Sequence, residues 1–181
     1  MITVPDRRSS EMLLAEYVKS DNLREHCYMV AKAMEKSAEA AGVEESEREL
    51  WWTAGLLHDL DWEQYPEQHP HQATSQILPP LGYPQIVIDA ILAHAPERTG
   101  REPVTSLECN LFACDELSGF MKAVSLMRPN GFTDMEPKSV IKKMKDKRFA
   151  ATVSRSDIRK GADLVNRDLA EQISFLIEVF S

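Results

Sequence analysis

Apolar side chains recur at intervals of three and four residues along almost the whole chain, whereas strict alternation of apolar and polar residues is scarce. This spacing places apolar side chains on one face of an α-helix and is not typical of a β-strand. A chain of 181 residues is sufficient for one domain, and neither a low-complexity linker nor an internal repeat divides it. The sequence therefore predicts an all-α helical bundle forming a single domain over residues 1–181.

Capping residues, glycines and prolines give the expected helix limits. Ser9 or Ser10 is the expected cap of the first helix, and the second runs from Leu23 to about Gly42. The remaining predictions are a third helix at about 46–58, a loop at 61–70, a short helix to Leu78 that Pro79-Pro80 stops, a helix from Pro84 to His94, a long helix at about 104–127, an exposed loop at 128–135 and three helices near 137–147, 155–165 and 168–180.

Composition and motifs exclude several classes of protein. Charged residues number 21 Lys+Arg and 29 Asp+Glu, and the net charge of −8 argues against a general binder of nucleic-acid polymers or membrane surfaces. Neither a Rossmann turn, a P-loop nor a G-x-S-x-G elbow is present. Three cysteines without C-x-x-C spacing, and an N-terminus without a signal-like apolar run, predict a reduced, cytoplasmic protein.

Three polar side chains lie on helix faces that are otherwise apolar. His26 follows Leu23 by three residues, His94 follows Ile91 by three, and Asp115 follows Leu111 by four. A buried histidine is commonly a hydrogen-bonded core residue, and a buried carboxylate is commonly part of an ion pair, so a structural and a functional interpretation both stay open for each residue alone.

The dipeptide His58-Asp59 ends a predicted helix between these positions. Neighbouring helical residues diverge by about 100°, so the two side chains can approach one cation from different directions. A single cation would account for all the buried imidazoles and carboxylates together. This donor set suits Fe, Mn, Co, Ni or Zn better than calcium.

The order His26, His58-Asp59, Asp115 resembles the signature of the HD-domain superfamily of metal-dependent phosphohydrolases. The segments Tyr-Pro-Glu-Gln-His-Pro, Leu-Gly-Tyr-Pro and Ala-Ile-Leu-Ala-His extend the similarity to small stand-alone bacterial HD proteins of the HDIG type. The resemblance covers about residues 10–125, the expected metal-site core of an HD-type helical bundle, and leaves C-terminal helices at about 136–181.

The resemblance implies that His26, His58, Asp59 and Asp115 bind a divalent metal. Relatives with two metals add histidines at places that His69 and His94 match, with His71 as a competitor for the place of His69. One or two ions are expected, with Fe, Mn, Co, Ni, Zn and Mg as candidates. The implied activity is hydrolysis of a small phosphate ester, with a nucleotide as one candidate. The alternatives are a di-iron oxygenase and a non-catalytic nucleotide-binding module.

Further roles follow for residues near this set. Asp59 and Asp61 are the expected catalytic residues, Asp61 as a base or as a partner of a metal ligand. Trp62 stands where some nucleotidase relatives carry an acidic residue. Lys122, Lys142 and Lys143 are candidates for binding substrate phosphate. The expected partner is a small phosphorylated substrate, without a nucleic-acid polymer or a membrane, and a homodimer is left open.

Overall fold

The computed structural model describes residues 4–181, and within them it contains helices and turns but no β-strand. The all-α prediction is therefore confirmed. The α-helices are α1 (Arg7–Tyr17), α2 (Asp21–Ala40), α3 (Glu45–Leu57), α4 (Gln85–Ala93), α5 (Pro96–Thr99), α6 (Ser106–Ser125), α7 (Pro137–Met144), α8 (Arg155–Leu164) and α9 (Leu169–Phe180).

The first helix begins earlier than expected, because Asp6 caps it rather than Ser9 or Ser10. The Asp6 side chain accepts a hydrogen bond from the Ser9 backbone N–H at 2.7 Å. Ser10 faces inward instead and lies 3.0 Å from the Tyr83 hydroxyl. A carboxylate at the N-cap also interacts favourably with the helix dipole, which a serine does not.

The connection between α3 and α4 differs most from the prediction. The expected short helix is a π-helical turn at Ala73–Ile77 followed by a 3₁₀ turn at Pro79–Leu81. Pro79-Pro80 thus begins a turn as well as ending the preceding helix, since proline is favoured in a first helical turn. The four-residue helix α5 was not predicted.

Two close helix contacts form the centre of the bundle. Gly55 of α3 lies against Ala31 of α2, where a Cβ atom on residue 55 would come within 2.8 Å of the Ala31 Cα. Gly161 of α8 packs equally closely on Ala113 of α6. Helix α6 contacts α2, α3, α4, α7, α8 and α9 and is therefore the central helix of the fold.

The C-terminal helices pack on this core rather than extending away from it, since α8 lies along α6 and α9 contacts α2. The 128–135 segment is a series of turns in which Arg128 pairs with Asp134 at 2.7 Å. Among the helices of residues 4–181, none combines the length and the apolar character needed to cross a membrane.

Candidate metal centre

Four helices and the turns after α3 bring six polar side chains to one place in the bundle. His26 lies on the second turn of α2, and Asp115 lies midway along α6. His58 and His94 are the residues at the C-terminal ends of α3 and α4. Asp59 follows His58 directly, and His69 lies in the turns after α3.

One group of donors is formed by His26, His58, Asp59 and Asp115. The Nε2 atoms of His26 and His58 lie 3.3 Å apart, and Asp115 Oδ1 lies 3.0 Å from the first and 3.3 Å from the second. Asp59 Oδ2 approaches His58 Nε2 to 3.4 Å. Two ligands that each bind a metal at about 2.1 Å stand about 3.0–3.4 Å apart for right-angled or tetrahedral coordination, so these separations suit a shared cation.

A second group forms on the other oxygen of the same aspartate. Asp59 Oδ1 lies 3.5 Å from His69 Nε2 and 3.9 Å from His94 Nε2. The two imidazole nitrogens are 3.2 Å apart. Asp59 therefore presents one oxygen to each group, which is the arrangement of a carboxylate that bridges two cations.

Hydrogen bonds at the far side of the His58 and His94 rings fix which nitrogen faces the centre. His58 Nδ1 donates to the Gly55 carbonyl at 2.8 Å, and His94 Nδ1 donates to the Ile91 carbonyl. A carbonyl oxygen only accepts, so each Nδ1 carries a proton, and Nε2 is the nitrogen that faces the centre and can offer a lone pair to a metal.

Burial and charge act in opposite directions on the pKa values of these groups. Burial favours neutral His58, but the charges of Asp59 and Asp115 prevail and raise its pKa to about 9. Burial and the nearby His58 lower the pKa of His94 to about 4. Although burial opposes ionisation of Asp115, His58 and His26 hold its pKa well below the usual value. In the absence of a metal, a proton on His58 therefore supplies the positive charge that the carboxylates require.

Asp61 lies behind the centre rather than in it. Its side chain is completely buried, Oδ1 accepts from His69 Nδ1 at 2.7 Å, and Oδ2 accepts from the Ala73 backbone N–H at 2.7 Å. This contact directs His69 Nε2 toward Asp59. Both oxygens are engaged and neither reaches the surface, so of the two roles expected for Asp61 the contacts favour that of a partner of a candidate metal ligand.

The two donor groups open into a cleft of about 480 Å³. Five acidic side chains line its wall: Asp59, Glu97, Asp115, Glu116 and Asp157. Apart from the histidines, Arg98 is the one basic residue of the wall among the residues that the structure describes. Such an excess of negative charge attracts cations and repels phosphate unless cations are bound.

Sequence reasoning missed four charged residues of this wall: Glu97, Asp157, Glu116 and Arg98. Burial and the charge of Asp115 raise the pKa of Glu116 to about 8, and the Glu116 carboxylate accepts from the Ser154 backbone N–H. Arg98 donates to the carbonyls of Pro66 and His69. Glu116 directly follows the predicted ligand Asp115, which was a usable signal, but nothing in the sequence places Arg98 beside the histidines.

The lysines expected to bind phosphate lie elsewhere. Lys142 and Lys143 on α7 are not part of the cleft wall, and the Lys143 ammonium lies over the Phe149 ring. Lys122 is 7% exposed and pairs with Glu25 at 2.7 Å beside a neighbouring pocket. His71 is exposed and belongs to neither donor group, so the structure does not bring it to the place for which it competes with His69.

The donor chemistry fits divalent cations. Each group, His26-His58-Asp59 and Asp59-His69-His94, combines imidazole nitrogens with a carboxylate and could hold an ion. This mixture is a usual ligand set for Fe, Mn, Co, Ni and Zn. The tautomer-fixing bonds behind the rings are those that orient histidine ligands in metalloproteins.

Comparison with known proteins supports the same assignment. The family model described as the HD domain matches residues 23–119, which include all six converging side chains. No curated protein and no solved structure gives a significant match to the chain. The matched segment spans more than half of the sequence and ends only after α6 has supplied Asp115. The chain belongs to the HD-domain family.

Proposed function

We propose that this protein is a metal-dependent phosphohydrolase that acts on a small phosphate ester. The observation that carries the proposal is the position of Asp59, which presents one oxygen to each of two imidazole pairs at the base of an open cleft. Members of the HD superfamily are mostly metal-dependent hydrolases, and two cations about 3.5–4 Å apart are a common device for phosphoryl transfer.

The side chains then have separate tasks. His26, His58 and Asp115 would hold one divalent ion, His69 and His94 would hold a second, and Asp59 would contribute one oxygen to each group. When bound, such ions lower the pKa of a coordinated water to about 7 and neutralise charge on the phosphoryl oxygens. Asp61 keeps His69 in the tautomer that binds, so we assign it a positioning task rather than proton transfer.

Arg98 is the residue that we expect to bind the phosphate. Its guanidinium group lies at the cleft rim, and Nη1 donates to two backbone carbonyls, at 2.8 Å and 3.4 Å. Within the described chain, Nε and Nη2 are left to donate to a ligand. A guanidinium fork matches two phosphate oxygens, and no lysine of α7 reaches this position.

The proposal is tested with metal-free protein reloaded separately with Mn, Co, Ni and Mg. Activity is measured on p-nitrophenyl phosphate and a panel of nucleotides, with Asp59→Asn as the inactive control and His71→Gln as a control outside the donor groups. We expect phosphate release with at least one metal from wild type and His71→Gln, and a loss of at least ~100-fold in Asp59→Asn. Absence of turnover with every metal would refute the hydrolase assignment.

The paired centre also favours a second candidate, a di-iron oxygenase, because four histidines and two aspartates form a suitable ligand set for iron. Anaerobic reconstitution with iron separates the two functions. A coupled iron signal in the EPR spectrum together with substrate-dependent oxygen uptake supports the oxygenase. Nucleotide binding without chemistry, unaffected by a chelator, supports the third alternative, a non-catalytic module.

A further inference from the structure

A second pocket adjoins the metal cleft and shares part of its wall. The pocket is about 600 Å³ in volume, and His26, Trp62 and Gly119 line both spaces. The rest of its wall is largely apolar, with Leu23, Ala123 and Leu126 beside Ser20 and Asn22. A molecule bound at the two donor groups would therefore have room to extend past Trp62 into this pocket.

Trp62 separates the two spaces and is held in place by its neighbours. The adjacent Glu63 carboxylate accepts hydrogen bonds from the backbone N–H groups of Lys19 and Ser20, at 3.0 Å and 2.9 Å. These bonds tie the turn to the start of α2. The Trp62 ring meets His69 edge to face, with centroids 4.9 Å apart.

One face of the indole is covered on the cleft side. The Arg98 guanidinium lies 5.0 Å from the Trp62 ring centroid, and Arg98 lines the cleft but not the second pocket. Trp62 remains 41% exposed, whereas Trp51 and Trp52 are buried. The exposed indole surface is thus available to a ligand in the pocket.

The charged groups of this pocket are already paired or hydrogen-bonded. Lys122 pairs with Glu25 at 2.7 Å and donates to the Asn22 carbonyl. Glu63 is engaged by two backbone N–H groups. The pocket therefore provides apolar surface and a flat aromatic ring, and its described residues include no unpaired cation for a second phosphate.

We infer that this pocket receives the alcohol part of the ester, and that Trp62 selects alcohols carrying an uncharged planar ring by stacking on it. The inference rests on the proposed hydrolase activity for its reaction, but the binding of the ring does not depend on turnover. Stacking on an aromatic side chain tolerates many ring chemistries, because every such ring offers a π-face.

The kinetic test compares phenyl phosphate with ethyl phosphate on wild type, Trp62→Leu and Trp62→Phe. Leu81→Ala serves as a control that alters another exposed apolar residue outside both pockets. We expect Trp62→Leu to lower the ratio of kcat/KM for phenyl phosphate to kcat/KM for ethyl phosphate about tenfold, mainly through the KM for phenyl phosphate. Trp62→Phe should retain most of the ring preference. An equal loss on both esters, or no loss on either, would overturn the inference.

The binding test uses phenylphosphonate and ethylphosphonate, which are not hydrolysed, on the Zn²⁺-loaded protein. Saturation-transfer NMR should show strong transfer to the ring protons in wild type and at least about threefold less in Trp62→Leu. Transfer that is the same in both proteins, or absent from wild type, contradicts the pocket assignment. Trp62-dependent transfer in a protein that hydrolyses no ester leaves the pocket assignment intact and refutes the proposed activity.

Discussion

Replacement of Asp61 by asparagine should weaken the binding of one metal ion at the centre while leaving the binding of the other unchanged. The carboxylate accepts from His69 Nδ1 and from the Ala73 backbone N–H, each at 2.7 Å, and its side chain has no exposed surface. Asparagine offers one oxygen and one NH₂ group in the same shape. The asparagine oxygen can then accept from only one of the two donors, His69 Nδ1–H or the Ala73 backbone N–H, and the other donor faces the amide NH₂ group.

The outcome of lower free energy is a change of tautomer in His69. If the oxygen of the introduced amide accepts from Ala73, the amide NH₂ donates to His69 Nδ1, and the proton of the ring moves to Nε2. That nitrogen then faces Asp59 with a hydrogen atom instead of a lone pair. Loss of such an orienting partner typically weakens metal binding about 10- to 100-fold, which equals about 1.4–2.7 kcal/mol. The alternative, an unsatisfied buried N–H, lowers the free energy of unfolding by about 1–3 kcal/mol.

The assay is metal content after equilibrium dialysis at a series of free-metal concentrations, combined with urea unfolding of the metal-free protein. We expect two binding steps in wild type and in His71→Gln, which changes an exposed histidine two residues from His69. In Asp61→Asn one step should move to about 10- to 100-fold higher metal concentration. Two unchanged steps, with unchanged stability of the metal-free protein, would refute the positioning task of Asp61.

Three further predictions concern packing, pH and metal removal. Gly55→Ala should lower the free energy of unfolding by about 1–3 kcal/mol, because the new Cβ meets backbone atoms of Ala31 at 2.8–2.9 Å. Gly119→Ala adds a Cβ with its nearest contact at 3.8 Å inside helix α6, so it should instead raise the free energy of unfolding by about 0.5–1 kcal/mol; urea titration compares the two variants. Metal affinity should rise about tenfold per pH unit between about pH 6 and 8. His58 has a raised pKa of about 9, so it is protonated in this range, and it binds metal only after losing that proton. Competition with a chelator measures the slope. Dialysis against a chelator should lower Tm. Adding metal back at about 100 times its Kd should raise the free energy of unfolding by about 2.7 kcal/mol, which calorimetry measures.

The helices and the first ligands could be predicted because both depend on local pattern. The spacing of Leu107, Leu111 and Leu117 places them on the buried face of α6, and the same spacing brings Asp115 to the inner surface. The HD-domain resemblance, confirmed by the family match, assigned His26 and His58-Asp59 before any geometry was known. The division into a core at about 10–125 and C-terminal helices stays a prediction.

The remainder depends on contacts between residues far apart in sequence. Arg98 reaches the cleft because α5 folds back on the turns at Pro66 and His69, which no periodicity reveals. Lys142 and Lys143 looked suitable because they lie in a basic run, but the direction in which α7 packs takes them away from the cleft. The sequence does not decide whether Asp61 acts as a base or as a partner of a metal ligand. Its burial depends on a distant contact, the hydrogen bond from Ala73 at the start of the π-helical turn Ala73–Ile77.

The central claim is that Asp59 joins two cation sites. The most direct test is the number of metal ions per chain, measured by inductively coupled plasma mass spectrometry on wild type, Asp59→Ala and His94→Ala after loading and gel filtration. We predict close to two ions for wild type, one for His94→Ala and fewer than about 0.2 for Asp59→Ala, with all three proteins folded by circular dichroism. Equal metal content in wild type and Asp59→Ala, or no retained metal in folded wild type, would contradict the account.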